Sequence, residues 1–424
     1  MSQFNLSLKD ENFVVIDNGS WSIKARKGIR EILEIPSVFL PTASGHKLEA
    51  SEKRENRLSH ASRSPSSINE TKNQINSETN LLQKNSSSEF SSHSSPIERG
   101  EIKNWDELEA LWRHILTKEF GIRRSCNECP VILTTPSWWT KFQHERIARI
   151  FFENFNVPGL YIADQALMAL YACGSLSGLV VDVGYGKTDI IPIFESIIQY
   201  HAIQTLPIGG QEIDKYLLGI FQSNEQQFLI GYDGTIDIDF SRAIKEITGG
   251  YHDDEYEEQD KKDEADKYLK EIEYHGKRFT INTERLQPAQ PSFNPSLVGK
   301  DEVASLPDAI HLAISSCDLE KRNILWENIV LTGGSSLIKG FRERLQKELD
   351  KYSSVTANAG DSQYKEVKFI KIPEYVSDFK ERQDLAAFLG ASMVAKLVFG
   401  DPKNFISKVD YNETGPTVVH TLSY

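Results

Sequence analysis

Apolar runs that stop at a small polar turn recur along the chain and set its organisation. In FVVIDNGSWSIKAR, residues 13 to 26, a run of β-branched residues ends at Asp17 and turns at Gly19 and Ser20. In GLVVDVGYGKTDIIPI, residues 178 to 193, Val180 and Val181 lead to Asp182, and the chain passes through Gly184 and Gly186 into Ile190 to Ile193. That alternation predicts a hairpin whose tight turn faces something bulky. A further strand-to-glycine turn stands at 328 to 336, NIVLTGGSS. Between these runs the period changes to that of helices. Trp105, Leu108, Leu111, Trp112 and Ile115 share one face of the segment 96 to 116, which predicts an amphipathic core helix. A strand over VILTTPS at 131 to 137, a helix over ERIARIFFENF at 145 to 155, and a strand leading into a helix over GLYIADQALMALYACGS follow.

The second half repeats the alternation. The strand pair is expected to continue through Tyr200 to Ile203, turning at Gly209 and Gly210 into the helix QEIDKYLLGIF. Helices are expected near 241 to 247, over 305 to 316, and over FRERLQKEL with Phe341, Leu345 and Leu349 on one stripe. LAAFLGASMVAKLVF, 385 to 399, is apolar on every side and predicts a buried helix. Strands alternating with helices imply an α/β architecture with a mainly buried sheet. Two tracts break the pattern. Residues 43 to 95, rich in Ser, Asn, Glu and Lys, cannot bury enough surface to offset ordering and predict a disordered insertion with serines open to phosphorylation. Residues 222 to 300 are looser, and the acidic stretch HDDEYEEQDKKDEADKYLKEIEY within them predicts a solvated face.

A length of 424 residues allows roughly two or three domains. With 39% hydrophobic residues and no apolar run near the ~18 needed to span a bilayer, a soluble protein without membrane contact is expected. MSQFNLSLKDEN lacks the apolar core of a signal peptide, which predicts a cytosolic or nuclear protein. A net charge of −13 argues against direct nucleic-acid binding. Of the 4 cysteines, Cys173 and Cys317 read as core residues, whereas Cys126 and Cys129 form a CxxC with no second pair to complete a zinc site.

Two Asp-Gly turns facing each other across a cleft could clasp a phosphate chain, each offering backbone N–H groups and one Asp toward a divalent metal. Their order, closed by the Gly-Gly turn, resembles the superfamily of actin, sugar kinases and heat-shock chaperones. The segments VIDNGSWSIKA, IKNWDELEALWRHIL, FENFNVPGLYIADQALMALYACG, GLVVDVGYGKTDIIPIFE, NIVLTGGSSLIKG and FISKVDYNETGPTVVH narrow the resemblance to actin and the actin-related proteins. It implies a two-lobed nucleotide-cleft fold of duplicated mixed sheets flanked by helices. Residues 1–164 would form the first lobe, interrupted at 43–95, and 165–383 the second, with a variable segment at about 250–285. Residues 384–424 would return to the first lobe.

Carried over position by position, the resemblance makes Asp17, Gly19, Ser20 and Lys24 the first phosphate loop, and Asp182, Gly184 and Gly186 the second. Asp17 and Asp182 would serve the metal, with Gly210, Lys245, Glu246, Gly333 and Gly334 around the nucleoside. Gln165 matches the glutamine that positions water. Other positions depart: a phosphate-side glycine is Trp21, an acidic residue is Tyr185, and the histidine that orders attacking water is Asp189. Near the nucleoside an arginine is Gln211, an aromatic is Ile338 and a lysine is Gln383. The frame leaves room for ATP with Mg²⁺, but a carboxylate replacing a neutral imidazole beside phosphates predicts loss of efficient hydrolysis, ~10² or more in rate. Gln165 and Asp189 are then vestiges, and there is no catalytic residue.

These departures resemble the divergent nuclear actin-related proteins of fungal SWI/SNF and RSC chromatin-remodelling complexes. That resemblance implies a non-catalytic scaffold that binds a helix beside the remodeller's ATPase motor, a second actin-related protein as heterodimer, and other subunits. Such a role requires no cofactor. The nuclear location rests on the resemblance, since EKRENR at 52 to 57 is too mixed in charge for an import motif. The insertion at 43 to 95 falls where actin's filament uses a compact outer loop, so a monomer built into an assembly is expected. The docking cleft would draw on the helices after Pro136, with Trp138 and Trp139, and on 385 to 399. The two tryptophans either pack inward or, if exposed, suit a helix-in-groove contact. Asp17, Asp182 and Gln165 support the alternative, an actin-like ATPase or a cytoplasmic dynactin-type capping protein.

Overall fold

Two six-stranded sheets carry the chain, and each ends in one of the predicted aspartates. The structure is a computed structural model that describes residues 12–28, 32–37, 95–223, 229–248, 269–282, 288–357, 366–376, 379 and 381–421. The expected insertion at 43–95 lies outside the described residues apart from Ser95, as does the acidic stretch up to residue 268.

The first sheet runs in the order Ile406–Ser407, Gly159–Asp164, Val131–Thr135, Val14–Asp17, Ser22–Lys27 and Leu33–Pro36. Its central strands, VVID and VILTT, are buried along their whole length, as expected where both faces of a parallel sheet are covered. The second sheet has Gly178–Val183 beside Ile329–Thr332 in parallel and Thr188–Phe194 in antiparallel. The two sheets repeat one plan. Asp17 faces Lys24 across its hairpin and pairs with Thr134 on the parallel neighbour; Asp182 faces Asp189 and pairs with Thr332.

The helices Gln165–Ala172 and Ala386–Val398 pack between the sheets. Asp164 caps the first of them, accepting from the amides of Ala166 and Leu167 at 2.9 and 3.0 Å, which fixes Gln165 at its first turn. Gly390 lets the second helix approach: a Cβ there would collide with the Met168 carbonyl. The Ile406–Ser407 strand returns the chain's end to the first sheet.

Four expectations need correction. The core helix begins only at Trp105, capped by Asn104, because Ile97–Glu98 and Glu101–Ile102 first form a two-stranded hairpin around the positive-φ pair Arg99 and Gly100. Tyr200–Ala202 is a helical turn and the strand lies at Gln204–Leu206; Tyr200 and His201 are both exposed, so the alternation a strand needs is absent. The end of the acidic stretch keeps the expected solvated face, with Glu271 and Glu273 exposed, but is not looser chain. Leu269–Tyr274 and Lys277–Asn282 pair through a turn at His275 and Gly276, both at positive φ, and bury Ile272, Phe279 and Ile281. Finally, the helix over 386–398 is not covered on every side, since Leu397 is 75% exposed and Met393 40%.

Cys317 is buried and Cys173 half-buried. Among the described residues no cluster of metal-ligating side chains appears, and no helix is long and apolar enough to cross a membrane.

Candidate functional site

The ends of both sheets open on one cleft of about 380 Å³. From the first hairpin Asp17, Gly19, Ser20 and Lys24 line it, and from the second Asp182, Gly184, Gly186 and Asp189. Gln165, Lys245, Glu246, Gly333 and Gly334 complete the expected set. Gly210 stands behind the wall, its amide donating to the Gly184 carbonyl at 3.0 Å. The structure thus brings all of these residues except Gly210 to the lining of one cleft.

Their hydrogen bonds show what each now does. Asp17 accepts from the Thr134 hydroxyl at 2.5 Å and from the Gln165 amide at 3.0 Å, with the Lys24 ammonium 3.8 Å away. The same Gln165 amide donates to the Asn18 carbonyl at 2.6 Å, so it is tied to the first turn. Ser20 accepts from the Gly100 amide at 3.2 Å through its hydroxyl, and its carbonyl accepts from Ser95. Neither of these two groups is turned wholly to the cleft.

Most of the glycines answer to protein neighbours. A Cβ on Gly186 would stand 2.8 Å from Arg99 Cα, and on Gly19 2.5 Å from the Ser22 carbonyl. Gly333, at φ +87, lies against the Asp182 carboxylate and the Val183 carbonyl. Close approach of protein backbone is reason enough for glycine at these positions. They would persist whether or not phosphate binds.

Burial governs the second carboxyl pair. Burial pushes Asp182 up to about 6, opposed by Lys24 and Lys187. It pushes Asp189 up to about 7, against the pull of Lys187, whose ammonium is 3.4 Å from Asp189 Oδ1. Lys187 is itself lowered by the same burial. Its Nζ lies 2.9 Å from the centre of the Trp138 ring. The Trp139 indole N–H donates to the Gly100 carbonyl at 2.8 Å, and its side chain is buried. Trp138 and Trp139 thus both line the central cleft.

Between the two turns Trp21 and Tyr185 meet, ring centres 4.9 Å apart. Arg242 covers them, its guanidinium 4.2 Å from the Trp21 ring and its Nη2 donating to the Tyr185 hydroxyl at 3.0 Å. Asp214, fully buried, holds Arg242 at 3.2 Å and Lys245 at 2.5 Å. The sequence flags Trp21 and Tyr185 as departures, but nothing local points to Arg242 as their partner or to Asp214 as the residue that holds it.

The model of the actin family matches residues 8–422. The chain belongs to the actin family. Actin-related protein 7 of Arabidopsis thaliana is 33% identical to it over 335 residues, which span 77% of this chain and 84% of that protein. The two sheets and their shared cleft are accordingly the two-lobed α/β fold of the actin family. The Mg²⁺-nucleotide that the family's cleft implies meets residues that do not fit it. Lys24 beside Asp17 is retained from the phosphate loop, but Lys187 places a cation beside Asp182 and Asp189, where a dication would sit. The Trp21 and Tyr185 rings lie between the turns that would cradle a polyphosphate.

Proposed function

We propose that the protein is a non-catalytic actin-related scaffold subunit of a nuclear chromatin-remodelling complex of the SWI/SNF or RSC type, acting in transcription regulation. On this reading it binds the helix beside the motor ATPase and pairs with a second actin-related protein. The observation that carries the non-catalytic part is the engagement of Gln165 and Asp189. The glutamine amide is hydrogen-bonded to Asp17 and Asn18, and Asp189 is paired with Lys187 and Thr205. No neutral base is left there to order an attacking water, the step phosphoryl transfer to water needs.

Docking falls to the outer stripe of the 386–398 helix, where Met393 and Leu397 stand exposed. Exposed apolar residues four apart on one helix face suit an amphipathic partner helix. Purification of the tagged protein from its own cells, followed by identification of what comes with it, tests the assignment. A remodeller motor and a second actin-related protein are expected. Recovery of dynactin subunits in their place would instead establish the cytoplasmic capping role.

A further inference from the structure

The cleft is crossed by side-chain contacts between the lobes. Trp21 comes from the first sheet's hairpin, Tyr185 from the second sheet's, and Arg242 from the helix Ile238–Thr248. The three form one layer: the rings tilt together at 4.9 Å and 41°, and the guanidinium lies 4.2 Å from Trp21 and 5.6 Å from Tyr185. Arg242 is fixed on its far side by Asp214 at 3.2 Å and Asp239 at 2.6 Å, so it cannot leave the rings without breaking ion pairs. A second tie joins Lys187 of the second lobe to the Trp138 ring of the first. A third joins Arg99, whose backbone rests on Gly186, to buried Glu212 at 3.2 Å.

Charge leads to the same conclusion. In this family a nucleotide and its cation would join the lobes by placing a dication among the cleft's carboxylates and phosphates among the turn amides. Here Asp17 has Lys24 at 3.8 Å and Asp189 has Lys187 at 3.4 Å, Asp182 lies under the influence of both lysines, and behind the cleft Asp214 holds Lys245 and Arg242. A metal ion would have to displace lysines that are side-chain neighbours in the fold, and a polyphosphate would have to part the ring pair. Aromatic and cation–π contacts in a water-poor site are the stronger examples of their kind.

We propose that this cleft is closed from within: the Trp21–Tyr185–Arg242 layer and the Lys187 ammonium stand in for nucleotide and divalent cation. The protein therefore holds its lobes together with neither and does not bind Mg²⁺-nucleotide. Partner identity plays no part in this, and the assignment to a remodelling complex stands or falls separately.

The full-length protein is melted in EDTA, in Mg²⁺ alone and in millimolar Mg²⁺-ATP, and titrated with a fluorescent ATP analogue in Mg²⁺. Ligands that bind only the native state raise the melting temperature. Three coincident melting curves and a flat titration are expected. Trp21→Gly is expected to melt lower without ligand and to gain an Mg²⁺-ATP-dependent rise, while Trp21→Phe, which keeps a ring, stays blind to nucleotide. A wild-type melting temperature raised by Mg²⁺-ATP and returned by EDTA overturns the proposal, as does a folded Trp21→Gly that binds no better than wild type. Should Trp21→Gly fail to fold, small-angle scattering of the wild type decides. An unchanged radius of gyration in EDTA and in Mg²⁺-ATP supports internal closure, and a contraction on adding Mg²⁺-ATP refutes it.

Discussion

Asp182 and Asp189 stand directly opposite each other on neighbouring antiparallel strands, with the Lys187 ammonium 3.4 Å from Asp189 Oδ1. Like charges directly opposed across strands destabilise a sheet, so Lys187 and the raised proton affinity of both carboxyls together make the arrangement tolerable. Lys187→Met is expected to lower stability by more than Asp189→Asn does. The double variant should recover part of the loss, with a coupling of about 0.5–3 kcal/mol in a denaturant double-mutant cycle. Strict additivity would show that the pair does not interact.

Close backbone packing sets a second expectation. Gly333 is at φ +87 with the Asp182 carboxylate where a Cβ would go, and Gly390 lies on the Met168 carbonyl. Gly333→Ala combines a left-handed strain with a collision, and Gly390→Ala forces apart the two helices between the sheets. Each should cost about 1–3 kcal/mol or more in denaturant unfolding. Gly334→Ala meets no atom within 4 Å and is the control.

Acid sensitivity should trace in part to His144. Burial, aided by nearby His420, pushes its imidazole down to about 4 from an ordinary 6.5. The unfolded chain thus takes up a proton as pH falls through 6.5, and the folded protein resists until about 4. The stability His144 contributes is present above 6.5 and lost as pH falls toward 4. His144→Gln should flatten that part of a stability–pH curve. An identical slope in wild type and variant would exclude His144 as its source.

How far this was legible in the sequence depended on how local each signal was. Apolar runs ending in Asp17 and Asp182 announce the strand ends, since strand burial and a glycine turn are written in adjacent residues. The hairpin over 269–282 escaped because Glu271 and Glu273 on its open face read as charge, which hid the alternating Ile272, Phe279 and Ile281 and the His275–Gly276 turn. Trp21 was recognisable as an obstacle to phosphate. Its actual role was not, because Tyr185 and Arg242 reach it only through the folded cleft. The tryptophan pair after Pro136 shows the same limit: only the fold reveals that Gly100 and Lys187 come to meet it.

Leu397, 75% exposed on the 386–398 helix, separates docking from folding. Leu397→Asp should leave stability within about 0.5 kcal/mol, as surface changes do. Capture of a helical partner should weaken about tenfold or more if this residue anchors the contact. Undiminished capture in a pull-down of the native complex would move the docking site elsewhere.

The central claim is that a family fold has kept its frame and given up its chemistry, and phosphate release from ATP by the purified full-length protein tests it most directly. The account predicts a rate no higher than that of an Asp182→Ala variant measured beside it. Turnover that Asp182→Ala abolishes would contradict it.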